Sequence, residues 1–493
     1  MRLGALLAAM EAARFAGEAD LEVRGLASDS RRVERGDLFF ALAGLHRDGR
    51  AFVREALASG AVAAVVERED GLAGLPLVVV GDARRALALA ADAFHGHPSR
   101  ALRIAAVTGT NGKTTTTYLL ESAFRAAGWK AGLLGTTGAR VDGAPRPLDF
   151  TTPEAPELQA LLAEMRDRGV AAAALEISSH ALAQRRCFGL DVDAAVFTNL
   201  SHDHLDYHGS LEAYLDAKTM LFDGRNAPRA AKRATAVINA DDRVAPAVED
   251  AARRGGMTVT RFGAAPDARV RIARVETAAD GLVVGIEGAE RVTIRTPLLG
   301  RYNAWNLAAA YAAARALGIP SDRAASGLAA LAGVPGRLER VSEGRDVEVV
   351  VDYAHTPDAL ERALAALREH VRGRVLAVFG CGGDRDRAKR PVMGRVARAG
   401  ADEVWVTTDN PRSEDPMAIA REILEGAGGA GGPVHLELDR RAAIAAALAA
   451  ARAGDAVIVA GKGHETTQIF GGRTVPFDDR AVARALLQAG GRT

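Results

Sequence analysis

Leu102-Arg-Ile-Ala-Ala-Val107, continued by Thr108-Gly109-Thr110-Asn111-Gly112-Lys113-Thr114-Thr115, reads as a buried strand that turns through glycines into a helix. Phosphate binding needs that order. Glycines let backbone N–H groups close on phosphate oxygens, and the helix N-terminus adds a favourable dipole. Lys113 is placed to reach the terminal phosphates and Thr114 to offer a hydroxyl to Mg²⁺. The spacing is tighter than in the general phosphate loop. Val107 stands where the first glycine would fall, and the motif begins at Gly109 as G-x-x-G-K-T. A helix is expected from about Lys113 to Ala127.

Downstream of the loop, apolar runs at 171–177, 194–197 and 234–238 alternate with helical patterns, the mark of a parallel sheet wrapped by helices. A β-rich patch covers 258–298, and a helix is expected over 304–317. Upstream, strand-like runs at 37–42, 61–66 and 77–80 end at His95-Gly-His-Pro-Ser99, a linker pattern. After Gly333-Val-Pro-Gly-Arg337 a second βα array begins, with strands expected at 347–352, 374–379, 403–407 and 456–460. Its helices are expected at 358–370, 388–399 and 416–425. The expected fold class is α/β in three domains. These are an N-terminal domain at 1–99, a central P-loop-type parallel-sheet ATPase domain at 100–335, and a Rossmann-like C-terminal domain at 336–493.

Composition agrees with three cores and excludes several classes. The 493 residues exceed what one core serves, and 48% hydrophobic with 25% charged residues is a globular balance, not a disordered or collagenous one. With 63 basic against 62 acidic residues, no global field recruits nucleic acid or an anionic membrane. Cys187 and Cys381 are too few for a disulfide framework. Glu11, Arg14 and Glu18 interrupt the apolar start before a signal-peptide core forms, and no apolar run reaches spanning length. The expectation is a soluble cytoplasmic monomer that binds small molecules, with neither nucleic acid nor membrane as partner.

Chemistry gathers at the ends of the central strands. Leu175-Glu176-Ile-Ser-Ser-His180 puts Glu176 at a sheet's C-terminal edge, where ligands bind. Phe197-Thr-Asn-Leu-Ser-His-Asp-His-Leu-Asp-Tyr-His-Gly209 follows another strand and interleaves His202, His204 and His208 with two aspartates. Carboxylate and imidazole together suit Mg²⁺ or Mn²⁺ beside a nucleotide, with Glu176 and His204 as the chosen ligands. In the helix pattern 211–222, apolar residues at 211, 214, 215, 221 and 222 share a face with Lys218. An ammonium there must snorkel, pair or lose its charge, and a neutral amine can take up CO₂ as a carbamate. Only six lysines (113, 130, 218, 232, 389 and 462) stand among the basic residues, so a retained lysine raises the odds that an amine is needed.

These stretches resemble the Mur ligases, ATP-dependent amide-forming enzymes of peptidoglycan synthesis. The match runs in family order through T-G-T-N-G-K-T-T, T-T-P at 151–153, L-E-I-S-S-H, F-T-N-L-S-H-D-H-L-D-Y-H-G and Y-N-A-W-N at 302–306. It continues through G-R-L-E at 336–339, D-Y-A-H-T-P at 352–357, G-C-G-G-D-R-D at 380–386, D-N-P-R at 409–412 and G-K-G-H-E at 461–465. The wording is most similar to members that attach the third peptide residue. The resemblance implies that a UDP-sugar dipeptide is phosphorylated by ATP at its D-glutamyl γ-carboxylate and that an amine then displaces phosphate. It implies Gly109, Thr110, Asn111, Gly112, Lys113, Thr114 and Thr115 around the phosphates, with Lys113, Glu176, His204 and Lys218 catalytic. Thr114, Glu176, His204 and a carbamylated Lys218 would hold Mg²⁺. Asn303 or Asn306 would meet adenine, Arg337 a phosphate and Asp352 the ribose. Without the family, Asn303 equally caps a helix and Asp352 ends a strand.

In the second βα array, Arg412 of Asp409-Asn410-Pro411-Arg412 and Arg385 are suited to clamp carboxylates, while the Gly461 carbonyl and Glu465 suit an ammonium. That set describes the zwitterionic end of a diamino diacid and fits meso-diaminopimelate. The resemblance ties D-N-P-R to diaminopimelate-adding members, whereas lysine-adding ones lack the Arg. The UDP end is assigned to Ser28, Ser30 and His46, and the acidic dipeptide to Thr151, Thr152, Ser178, Gln184 and Arg186. The rival expectations are L-lysine addition, a folylpolyglutamate synthetase-like ligase, a P-loop nucleotide switch and a noncatalytic nucleotide-sugar binder.

Overall fold

The computed structural model describes the chain except residues 13, 16, 45–47, 229, 279, 343–345, 429–431 and 491–493. The chain divides into two compact units, Met1–Ile272 with 287–290 and 305–328, and 273–286 with 291–304 and 329–493. Among the described residues no helix is long and apolar enough to cross a membrane.

The first unit carries two sheets. In the N-terminal one the order is Arg14–Phe15, Leu77–Val79, Ala63–Val66, Asp37–Phe40, Gly25–Ala27, parallel apart from the first pair. Strands buried on both faces read as unbroken apolar runs, and 37–40 and 63–66 are buried at every position. The central sheet places Arg103–Thr108 between Ala194–Phe197 on one side and Ala172–Glu176 on the other, all parallel. Glu176 lies level with Val107, and Phe197 with Thr108. The phosphate loop, Glu176 and the histidine-rich loop therefore leave the same sheet edge at the point where strand order reverses, the position at which open parallel sheets bind ligands. The helix after the loop runs Lys113–Ala126.

The stretch read as a linker, 95–99, is tied down. The His97 Nδ1 and Asp92 Oδ2 atoms lie 2.5 Å apart, Arg166 donates to the His95 carbonyl at 2.8 Å, and Ser99 is fully buried. The Gly and Pro pattern carries no record of the helix Ala155–Asp167 that packs against this stretch. The patch at 258–298 resolves into strands Thr258–Gly263, Val270–Ala278, Gly281–Glu287 and Arg291–Thr296.

In the second unit the main sheet has the order Glu339–Arg340, Glu348–Asp352, Ala456–Ala460, Val375–Phe379, Glu403–Val406, Val434–Leu436, parallel after its first pair. Alternate residues feed two cores, Val350 and Ile458 into one, Val349, Val351 and Val459 into the other. The strands ending at 352, 379, 406 and 460 deliver Asp352, the Gly380 turn, Asp409 and Gly461 to one edge. A fully buried ion pair fastens two of these ends. Arg440 donates Nε and Nη2 to the two Asp479 oxygens at 2.7 Å each, and to the carbonyls of Ala460 at 2.9 Å and Thr408 at 3.3 Å.

Removing one partner of such a pair leaves a buried charge uncompensated. Asp479→Ala is expected to cost about 3–5 kcal/mol, read in urea as a lower midpoint for the transition of the second unit with that of the first unchanged.

Candidate active site

Backbone geometry builds the phosphate loop. Gly109 has φ +145°, and a Cβ there would stand 1.9 Å from Thr198 Oγ1; Gly112, at φ +86°, would meet Asn306 Oδ1 at 2.3 Å. Side chains cannot be accommodated at either turn. The loop is laced to the next strand's loop. The Thr110 N–H donates to the Asn199 carbonyl at 2.8 Å and the Asn111 N–H to Asn199 Oδ1 at 2.9 Å, while Thr198 Oγ1 and Asn199 Nδ2 both donate to the Asn111 carbonyl. Tyr214 Oη lies 3.3 Å from the Thr110 hydroxyl. Thr115 is buried.

Two lysine nitrogens meet one backbone oxygen. Lys113 Nζ donates to the carbonyls of Gly109 and Thr110 at 2.8 Å each, and Lys218 Nζ donates to the same Gly109 carbonyl at 2.9 Å. Lys218 is 1% exposed and sits 4.2 Å from the centre of the Tyr214 ring. Burial, and secondarily the charge of Lys113, hold its amine well below the usual lysine range.

Glu176 collects hydroxyls. Thr114 donates to Oε2 at 3.1 Å, Thr136 donates to the same oxygen at 3.0 Å, and the Thr136 N–H reaches Oε1 at 3.0 Å. The side chain fits because position 135 is glycine, where a Cβ would lie 2.1 Å from Oε1. His204, at φ +53°, heads the short helix Leu205–His208. Its ring centre is 4.8 Å from that of His180, which is 5.4 Å from His208. Burial lowers the pKa of His204, and burial with the neighbouring imidazoles pushes His180 down to about 4. Neutral imidazoles keep a lone pair for a cation.

Among the described residues no three His, Cys, Asp or Glu side chains group to hold a metal. The donor set nevertheless suits Mg²⁺. Octahedral Mg²⁺ with ligands at about 2.0–2.1 Å puts adjacent oxygens ~2.9 Å apart, and Thr114 Oγ1 and Glu176 Oε2 stand 3.1 Å apart.

The dipeptide candidates cluster on Glu176. Thr152 Oγ1 donates to the Glu176 carbonyl at 2.7 Å and accepts the Ser178 N–H at 3.1 Å; Thr151 and Thr136 hydroxyls are 3.1 Å apart. Arg186 donates to the Thr152 carbonyl at 3.1 Å and to Gln184 Oε1 at 2.7 Å, and its guanidinium lies over the exposed Phe150 ring. Ser178 caps the helix Ser179–Ala183. Ser28 and Ser30 are half-buried beside a short 3₁₀ turn capped by Asp29. His46 lies outside the described residues.

Within the second unit Asn303 Nδ2 donates to the Leu299 carbonyl at 2.7 Å. Arg337 lies over the Tyr353 ring, and Asp352 Oδ2 accepts the Leu338 N–H at 2.7 Å. Burial raises the Asp352 carboxyl, with Arg337 opposing. Asp409 is likewise raised by burial. Arg412, at φ +52°, donates to the Gly383 carbonyl at 2.8 Å. Its own N–H bonds the Ile469 carbonyl at 3.0 Å, and its carbonyl accepts from Gly471 at 2.5 Å. Pro411 packs its carbonyl 1.9 Å from where a Cβ on Gly383 would stand. The exposed Arg385 donates to the Asp384 carbonyl at 3.2 Å, and Glu465 Oε2 accepts from Asn410 Nδ2 at 2.8 Å.

Sequence reasoning passed over Tyr214, Thr136, Thr198, Asn199, His180, His208 and the hairpin Thr467–Phe470/Arg473–Pro476. Thr198, Asn199 and His208 lay inside the stretch already singled out for its chemistry, and there the signal was present. Tyr214 reads as one more apolar helix residue, and nothing near 467–476 advertises its contact with Arg412.

Three family descriptions match the chain: Mur ligase middle domain at 107–314, Mur ligase, glutamate ligase domain at 336–463, and Mur ligase family, catalytic domain at 22–103. UDP-N-acetylmuramoyl-L-alanyl-D-glutamate--2,6-diaminopimelate ligase of Solibacter usitatus is 45% identical over 500 residues, covering 100% of this chain and 99% of its own. The protein of that name from Geobacillus thermodenitrificans is 44% identical over 471 residues, 95% of each chain. A solved structure of a ligase of the same name is 36% identical, with TM-score 0.72 and full coverage of both chains.

The lowered lysine amine gives a pH test independent of turnover. Between its depressed folded value and ~10.4 the unfolded chain binds a proton that the folded one does not, so this group's contribution to stability falls as pH falls. Lys218→Met in CO₂-free buffer is therefore expected to raise Tm at pH 7, by about 2–4 °C per kcal/mol recovered, with the gap closing toward pH 10 in thermal melts.

Proposed function

Because the chain belongs to the Mur ligase family, whose members form amide bonds coupled to ATP cleavage, we propose that it joins meso-2,6-diaminopimelate to the D-glutamyl γ-carboxylate of UDP-N-acetylmuramoyl-L-alanyl-D-glutamate. The product serves peptidoglycan synthesis, and through it cell shape and division. The enzyme acts as a cytoplasmic monomer in three domains: 1–99 for the UDP end, 100–335 for ATP and 336–493 for the amino acid.

The observation that carries this reading is the convergence of Lys113, Lys218 and the Thr114–Glu176 pair on one glycine loop. In the first step a γ-carboxylate oxygen attacks the γ-phosphorus of ATP. The new P–O bond forms as the bond to ADP breaks, giving an acyl phosphate. Lys113 and the loop N–H groups offset charge on the transferring phosphoryl group. Thr151, Thr152, Ser178, Gln184 and Arg186 hold the acid against that phosphorus. In the second step the amine attacks the acyl carbon and loses a proton, and orthophosphate leaves with the former carboxylate oxygen.

Thr114, Glu176 and His204 would hold Mg²⁺, which supplies Lewis acidity to the phosphate oxygens. Lys218 suits carbamylation: its Nζ bonds the CO₂ carbon and releases a proton, turning a buried amine into a carboxylate on a long arm. Asn303 or Asn306 serves adenine, Arg337 a phosphate and Asp352 the ribose. Ser28, Ser30 and His46 serve the UDP end. Arg385 and Arg412 clamp the distal carboxylate of the amino acid while Gly461 and Glu465 take its ammonium, on the Asp409-Asn410-Pro411-Arg412 turn.

A panel of diaminopimelate stereoisomers, lysine and ornithine, with ATP and the UDP-dipeptide, tests the assignment. Phosphate release is expected to require both the dipeptide and meso-diaminopimelate, and ¹⁸O from the dipeptide carboxylate should appear in that phosphate. Release on nucleotide alone would instead identify a switch. Arg412→Ala should raise KM for diaminopimelate by about 10²-fold while KM for ATP stays within about twofold. Lys218→Ala should abolish ligation, with partial recovery in short carboxylic acids.

A further inference from the structure

Two glycines decide where Lys462 goes. Gly461, at φ +112°, would put a Cβ 2.5 Å from Asp409 Oδ2, and Gly463, at φ +53°, would put one 2.7 Å from Tyr353 Cβ. The turn thus presses on Asp409 and Tyr353, and the lysine between the glycines is driven inward to 0% exposure. Its Nζ donates to Glu465 Oε2 at 3.0 Å and to Asn410 Oδ1 at 3.3 Å. Asn410 closes the triangle, with Nδ2 donating to the same Glu465 oxygen at 2.8 Å and Oδ1 also accepting the Ile469 N–H at 3.1 Å. Glu465 Oε2 is thereby committed to two donors, and an arriving ammonium must use Oε1.

We propose that Lys462 is a positioning residue that sets acceptor specificity, orienting Glu465 and Asn410 and balancing the charge of Glu465. It rests on the amino-acid site proposed above. Lys462 is fully buried while its partner Glu465 keeps a 32% exposed side chain open to a ligand, and this chain otherwise favours arginine, whose planar five-donor fork is a poor substitute for one compact ammonium. With Lys462 in place the charge of Glu465 is offset, and Arg385 and Arg412 remain for an acceptor whose far end carries a carboxylate as well as an ammonium. Without it Glu465 carries an unbalanced negative charge, and an acceptor ending in a bare ammonium gains.

The test compares the full-length wild type with Lys462→Met and Lys462→Gln in acceptor-dependent phosphate release. Lys462→Met is expected to raise KM for diaminopimelate about tenfold, to leave KM for ATP within about twofold, and to lower the kcat/KM ratio of diaminopimelate to lysine about tenfold. Lys462→Gln keeps a donor without the charge and should recover part of the KM but not the ratio. A Gln variant with wild-type KM and ratio, or a Met variant in which the KM values for ATP, dipeptide and acceptor rise together, overturns the proposal. Should the wild type prefer another acceptor, the diaminopimelate assignment falls, and the same variants are judged on KM for that acceptor against ATP. If neither variant folds, ¹⁵Nζ-lysine spectra of the wild type decide. With six lysines in the chain, a buried ammonium signal that shifts on adding the accepted amino acid supports the role, and none shifting refutes it.

Discussion

One carbonyl oxygen organises the glycine loop at 109–113. Gly109 O accepts Lys113 and Lys218 together, which holds the two nitrogens within about 6 Å of each other. Two like charges at that separation repel by about 3 kcal/mol at an effective dielectric of ~20. One lysine is half-exposed on a helix N-terminus and the other is sealed beneath Tyr214, so burial first and the charge of Lys113 second hold the buried amine well below the usual lysine range. The proposed carbamate goes one step further and turns a repulsion into an attraction.

The glycines follow from the same arrangement. The turn whose Gly109 carbonyl faces both lysines lies close on Thr198, and Gly112 starts the helix close against Asn306. Glu176, one strand over and level with Val107, needs Gly135 to leave its carboxylate space. A parallel register with three glycine clearances is therefore enough to bring cation, hydroxyl and carboxylate to one edge.

Much of this was legible in the chain. Strand ends were readable because doubly buried parallel strands are unbroken apolar runs, so Glu176 and Asp409 could be placed at sheet edges. Lys218 stood out as a charge on an apolar face. What the sequence could not carry was pairing between loops. The Thr110 N–H on the Asn199 carbonyl, and the Arg412 N–H on the Ile469 carbonyl, are backbone contacts whose register no side-chain pattern records. The buried arginines carry no sequence signal either: Arg390 is bonded to Glu414 and Glu422, and Arg440 to Asp479, through partners 24 to 39 residues away in the chain.

That contrast explains the lysine shortage. A guanidinium satisfies several acceptors at once, so it suits structural knots such as Arg440, which reaches a carboxylate and two carbonyls. It cannot be deprotonated, and its planar fork is bulkier than a single ammonium. Lys113, Lys218 and Lys462 each present one nitrogen to a small acceptor set, and two of them do so fully buried. Where the chain keeps lysine at these three places, the residue type answers a geometric and protonic demand that its many arginines cannot meet.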